Sequence, residues 1–141
     1  MKIQNILFYN QPITYQFGLT VLRIIIGLLM FYHGIEVFNA QLIESYSKWD
    51  SIKALPFPPL LMAYLGKGAE FISGLLLTLG LMTRLASFIM AGTMLFICFM
   101  IGQGRFWYED QHPFVFALFA ILFFFTGAGK FSFDEWLSGK K

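Results

Sequence analysis

The sequence predicts an all-α membrane protein, a four-transmembrane-helix bundle with an interfacial helix between helices 1 and 2. Three observations carry this. Of 141 residues, 57% are apolar, 19% aromatic and only 13% charged, which is too hydrophobic for a soluble domain of this size. Four apolar stretches approach the roughly 20 residues that a spanning helix needs. Their connections use up nearly all of the remaining chain, so residues 1–141 form one membrane domain.

Span one is expected at about 18–38, span two at 60–82, span three at 85–101 and span four at 113–128. Met1 to Phe17 lacks a compact apolar core followed by a small-residue cleavage site, so it is not expected to be a signal peptide. Its Leu7, Phe8, Tyr9, Ile13 and Tyr15 suit a segment lying at the membrane surface. Between spans one and two, Leu42, Ile43, Tyr46, Trp49 and Ile52 recur at helical spacing opposite Glu44, Lys48 and Lys53, which predicts the interfacial helix. The alternative there is an irregular surface loop. Pro56-Phe57-Pro58-Pro59 then turns the chain back into the bilayer.

Only Thr83 and Arg84 separate spans two and three, so they are expected to form an antiparallel hairpin with Arg84 fixing its turn. Gly66, Ser73 and Gly80 on span two, with Ala69, Gly74 and Thr78 nearby, and Gly27 and Gly34 on span one, recur at seven-residue intervals. Small residues let backbones approach closely in lipid, so these faces are expected to meet. After span four, Phe131, Phe133, Trp136 and Leu137 suit a short interfacial tail, with Lys140 and Lys141 facing anionic headgroups.

Lys2, Arg84, Lys130, Lys140 and Lys141 fall on one side of the expected membrane. Lys48, Lys53 and Arg105 fall on the other, mixed with acidic residues. The positive-inside rule therefore places both termini in the cytoplasm. The net charge of +2 comes from scattered basic residues without a basic stripe, which gives no sign of nucleic-acid binding. Cys98 is the only cysteine, so the chain has neither an intramolecular disulfide nor a C-x-x-C redox pair.

Ionisable residues inside a membrane are costly and mark function or helix pairing. His33 and Glu36 lie three apart on span one, and Lys67 and Glu70 three apart on span two, so each pair shares a helix face. At 1.5 Å rise per residue, His33 and Lys67 both lie roughly 8 to 10 Å below the outer end of their spans, with Glu70 about 15 Å deep. His112 opens span four from the same side. A polar pocket lined by His33, Glu36, Lys67, Glu70 and His112, walled by Phe31, Tyr32, Tyr64 and Phe71 and open to the outer leaflet, is the candidate site.

Three readings of this pocket compete. It is an ion-paired clasp that fixes which helix faces meet, or a proton-handling site of the kind a quinone requires, or a metal site built from His33, Glu36, Glu70 and His112. The last is the weakest, and no metal is assigned. Near the cytoplasmic side, Arg23 and Asp134 are expected to form a structural ion pair that ties down the C-terminal tail. The run Phe123-Phe124-Phe125 is read as core or lipid contact, not as a cofactor-stacking site.

Leu22-Arg23 through Gly27 to His33-Gly34, Ala69-Glu70 through Leu79-Gly80-Leu81 to Thr83-Arg84, and Gly127-Ala128-Gly129-Lys130 followed by Ser132-Phe133-Asp134 stand in this order along the chain. Together these phrases resemble the DoxX family of small four-helix bacterial membrane proteins. The resemblance implies a multi-pass inner-membrane protein linked, through some members, to quinone-coupled oxidation or membrane oxidoreductase complexes. It singles out Arg23, His33, Glu70, Arg84 and Asp134 as family-motif positions. Glu36, Ala128 and His112 depart from the family pattern.

The function expected from residues and resemblance together is a redox-associated subunit that binds a quinone-like or other small amphipathic molecule. Glu70 and His33 would handle protons, and Lys67 would orient the ligand. The sequence holds no complete electron path, so the chain is at most a subunit of a quinone-linked oxidoreductase. The expected partners are membrane lipid, membrane or soluble redox proteins and further copies of the chain. The alternative function is a small-solute permease or a non-catalytic membrane scaffold.

Overall fold

The structure, a computed structural model, describes residues 15–139. The expected N-terminal surface segment up to Thr14, and Lys140 and Lys141, lie outside the described residues. Within them the fold is all-helical, with no strands. Seven helices follow in order: α1 (Tyr15–Gly34), α2 (Ala40–Ser47), α3 (Asp50–Lys53), α4 (Pro59–Leu79), α5 (Thr83–Phe96), α6 (Gln111–Thr126) and α7 (Phe133–Ser138). A 3-10 turn at Ile35–Phe38 extends α1, and a π-helical turn at Ile97–Ile101 extends α5.

With these extensions, Tyr15–Phe38, Pro59–Leu79 and Thr83–Ile101 are long and apolar enough to cross a membrane, and Gln111–Thr126 is a shorter apolar helix. Their outward faces carry Ile25, Leu28, Ile72, Leu85, Phe88 and Leu118, all exposed. A contiguous apolar surface of this extent matches hydrocarbon and not water.

Helix ends follow local chemistry. Asn39 is extended and its side chain accepts from the backbone N–H of Gln41 and Leu42, which starts α2. Pro59 occupies the first turn of α4, where a missing N–H costs nothing. Gly80 ends α4 in the left-handed region at φ 65°, and Leu81 N–H returns to Leu76 O at 3.0 Å. Met82 is also left-handed, at φ 49°, a conformation that side chains other than glycine adopt only under constraint. The constraint is Asp134, whose carboxylate accepts from Met82 N at 2.7 Å and Thr83 N at 2.9 Å and so caps α5.

The α1 and α4 helices share the most extensive interface. A Cβ on Gly34 would collide with the backbone of Phe71, and one on Gly74 with the backbone of Phe31. Close approach of the two backbones therefore requires both glycines. Ile26 and Met30 of α1 join Leu77, Ala86, Met90, Met94, Ala117 and Phe123 in the buried core shared with α4, α5 and α6.

Several expectations are corrected in detail. The hairpin turn lies at Gly80–Met82, and Thr83 and Arg84 already belong to α5. The segment expected as one interfacial helix is two, broken at Lys48 and Trp49, with Ile43 and Ile52 buried and Leu42 and Trp49 exposed. Gly66 is not part of the α1 interface, since a Cβ there would meet nothing within 4 Å. The packing face passes through Gly74 and Thr78, both expected near it, where Gly27 abuts the Thr78 backbone.

Candidate functional site

Glu36 lies in the 3-10 turn, Lys67 and Glu70 one turn apart on α4, and Tyr46 on α2. The chain folds back between α1 and α4 so that these four meet. Lys67 Nζ is 2.9 Å from Glu36 Oε2 and 2.9 Å from Glu70 Oε2. The Tyr46 hydroxyl donates to the same Glu36 oxygen at 2.7 Å, and Lys67 Nζ lies 5.2 Å from the centre of the Tyr46 ring. Side-chain exposure is 17% for Lys67, 30% for Glu36 and 7% for Glu70. One ammonium thus serves two carboxylates, and with both ionised the group carries one negative charge in excess. Burial and the Glu36 carboxylate push the Tyr46 phenol above its ordinary range, so Tyr46 remains a donor at neutral pH.

Beside this network lies a cavity of about 590 Å³, bounded by α2 to α5 and the π-helical turn. Lys67, Glu70, Tyr46 and Thr93 supply its polar groups. Its walls include Trp49, Met62, Phe96 and Ile97, and Gly92 on α5 contributes no side chain. The expected walls Phe31, Tyr32, Tyr64 and Phe71 do not line it, because the cavity opens between α4 and α5 and not between α1 and α4. Glu36 touches Lys67 from behind and is not part of the lining.

The histidines are placed elsewhere. His33 on α1 and His112 on α6 meet edge to face, with ring centres 5.6 Å apart, and His112 also packs against Phe116. Neither lines the cavity. Among the described residues no group of three or more His, Cys, Asp or Glu side chains is disposed to hold a metal ion.

The expected ion pair of Arg23 with Asp134 is also corrected. Arg23 is 1% exposed and donates to Leu77 O, to Thr78 O at 3.3 Å and to Phe131 O at 2.8 Å. The last carbonyls of α4 are the negative end of that helix and need donors, so they take the guanidinium. Asp134 is engaged by the backbone amides of Met82 and Thr83. The two side chains hold the same corner through separate backbone partners.

Tyr46 and the α5 wall of the cavity are the site components that residue patterns did not indicate. Tyr46 has the composition of an interfacial aromatic. Gly92 is one of many small residues in apolar helices, and only its position opposite Lys67 and Glu70 distinguishes it.

Comparison with curated proteins gave no match, and neither did comparison with solved structures. The sequence model of the DoxX family matches residues 18–103, from α1 through the π-helical turn, and so includes Glu36, Tyr46, Lys67, Glu70 and Gly92. Well over half of the sequence is matched, and on that ground the chain, a multi-pass helical membrane protein, belongs to the DoxX family.

Proposed function

We propose that this protein is a redox-associated membrane subunit that binds a quinone-like or other small amphipathic molecule in the cavity between α4 and α5. One observation carries the proposal: a cavity of about 590 Å³ with apolar walls and one charged end, formed by Lys67 and Glu70. A volume of several hundred Å³ with few convergent polar groups is the usual form of a small-ligand site. Lys67 would donate to an oxygen of the ligand head, and Glu70 would accept from a hydroxyl or exchange a proton with it. The gap at Gly92 would let an apolar tail leave toward hydrocarbon.

In this proposal all four apolar helices cross a bacterial inner membrane, with both termini cytoplasmic and the cavity in the outer leaflet. The basic residues support the orientation, since Arg84 and Lys130 lie at the end where α1 starts. Residues α2 and α3 then lie at the outer interface, where Trp49 is exposed at headgroup depth.

The test is mass spectrometry of small molecules that travel with the detergent-purified protein, compared among wild type, Glu70→Gln and Gly92→Leu. Loss of one molecular species in both variants, with the fold intact, is the expected result. Equal retention in all three would reject the cavity as the site. It would favour the structural clasp, which the engagement of Lys67 by both carboxylates supports. A clasp without a ligand suits a non-catalytic scaffold.

A further inference from the structure

A second cleft, of about 610 Å³, lies at the opposite end of the molecule, between the start of α1, the start of α5 and the segment joining α6 to α7. It differs in chemistry from the α4–α5 cavity. Arg84 and Lys130 supply two cations, and neither forms an ion pair among the described residues. Asp134 and Glu135 supply two carboxylates. Asp134 is occupied by backbone amides, whereas the Glu135 carboxylate takes no hydrogen bond among the described residues.

Two lining groups lack partners. Thr83 is 1% exposed and its hydroxyl makes no hydrogen bond among the described residues, and the buried Oε1 of Gln16 accepts none there. A buried hydroxyl or amide oxygen left unpaired is costly, and here both border the same cleft. The cleft therefore presents two cations for an anionic group beside a carboxylate for a donor that bears positive charge, with the two unpaired oxygens buried behind its wall.

A purely anionic ligand would satisfy the cations and face Glu135. A phosphate joined to a primary ammonium satisfies both sets. We propose that this cleft binds a phosphoethanolamine headgroup, with its phosphate toward Arg84 and Lys130 and its ammonium toward Glu135.

Two observations point to a lipid as the source of that headgroup. An apolar groove of about 400 Å³, lined by Leu79, Phe131, Phe133 and Trp136, adjoins the cleft at Ser132 and suits an acyl chain. The α7 helix beside it exposes Phe133, Trp136 and Leu137, side chains suited to headgroup depth.

The test uses the full chain in nanodiscs holding equal amounts of phosphatidylethanolamine and phosphatidylcholine with identical acyl chains, followed by native mass spectrometry of retained lipid. Phosphocholine keeps the phosphate and the positive charge but has no N–H donors. Wild type is expected to retain phosphatidylethanolamine about fivefold or more over phosphatidylcholine, and Arg84→Gln with Lys130→Gln to lower retention of both lipids about tenfold. Glu135→Gln changes one partly exposed side chain and should bring the two lipids close to parity. If the double variant does not fold, Glu135→Gln alone decides the question. Equal retention of the two lipids by wild type, or an unchanged preference in Glu135→Gln, would overturn the proposal. Soluble O-phosphoethanolamine raising the melting temperature as much as the lipid does would overturn the lipid source.

Discussion

Replacing Lys67 by Met removes the ammonium that joins α1 to α4 and leaves its methylene stem nearly intact. Each carboxylate oxygen lies 2.9 Å from Nζ, so the two oxygens can be no more than about 6 Å apart once it is gone. At an effective dielectric constant of about 20, two negative charges at that separation repel by about 3 kcal/mol. Glu36 is the more exposed partner, which screens part of this. Two charge-assisted hydrogen bonds are lost as well, so a net destabilisation of about 3 kcal/mol is expected, near the lower end for breaking a buried pair. Cys98 provides the assay. It is the only cysteine and fully buried, so a thiol-reactive fluorophore labels it as the bundle opens in a detergent or thermal titration. Lys67→Met should label at lower denaturant, and Lys67→Met with Glu70→Gln should recover about 1 to 2 kcal/mol by removing the second charge. A Lys67→Met protein within about 0.5 kcal/mol of wild type, or a double variant no more stable than the single one, would refute the shared-ammonium account.

Arg23→Met should cost about 2 to 3 kcal/mol in the same titration, because the end of α4 and Phe131 O lose their common donor, and Arg23→Lys should restore only part of it. Gly74→Ala should destabilise by about 2 kcal/mol or more by forcing α1 away from α4, whereas Gly92→Ala, with nothing within 4 Å of its Cβ, should stay within about 0.5 kcal/mol of wild type. The raised Tyr46 phenol stabilises the fold fully below its unfolded value of about 10 and loses that contribution as pH rises through the higher folded value. Tyr46→Phe should therefore flatten the alkaline limb of the melting-temperature profile above about pH 10.

Helix positions were legible in the sequence because each depends on local properties. Apolar runs mark the long helices, the proline run ending at Pro59 marks the start of α4, and three-residue spacing puts Lys67 and Glu70 on one face. The meeting of Glu36 with Lys67 follows from the α1–α4 contact that Gly27, Gly34 and Gly74 permit. Partner choice was less legible wherever a backbone group competed with a side chain. Opposite charges suggested that Arg23 pairs with Asp134, but unpaired helix-end carbonyls and amides claim each of them first. The histidines were expected at the carboxylates because their depth matched. Depth along a helix does not determine direction around it, and His33 turns toward α6.

By itself, the sequence determined a membrane-embedded helical chain with costly charges in two of its apolar stretches, since composition and helical period act over a few neighbouring residues. Only the tertiary structure decided that one ammonium serves two carboxylates, that a cavity opens between α4 and α5, and that Arg23 and Asp134 clamp one corner separately. Those outcomes depend on how helices rotate and approach one another. That is set by which small residues allow contact and which backbone ends need a partner, and neither is fixed by spacing along one strand of sequence.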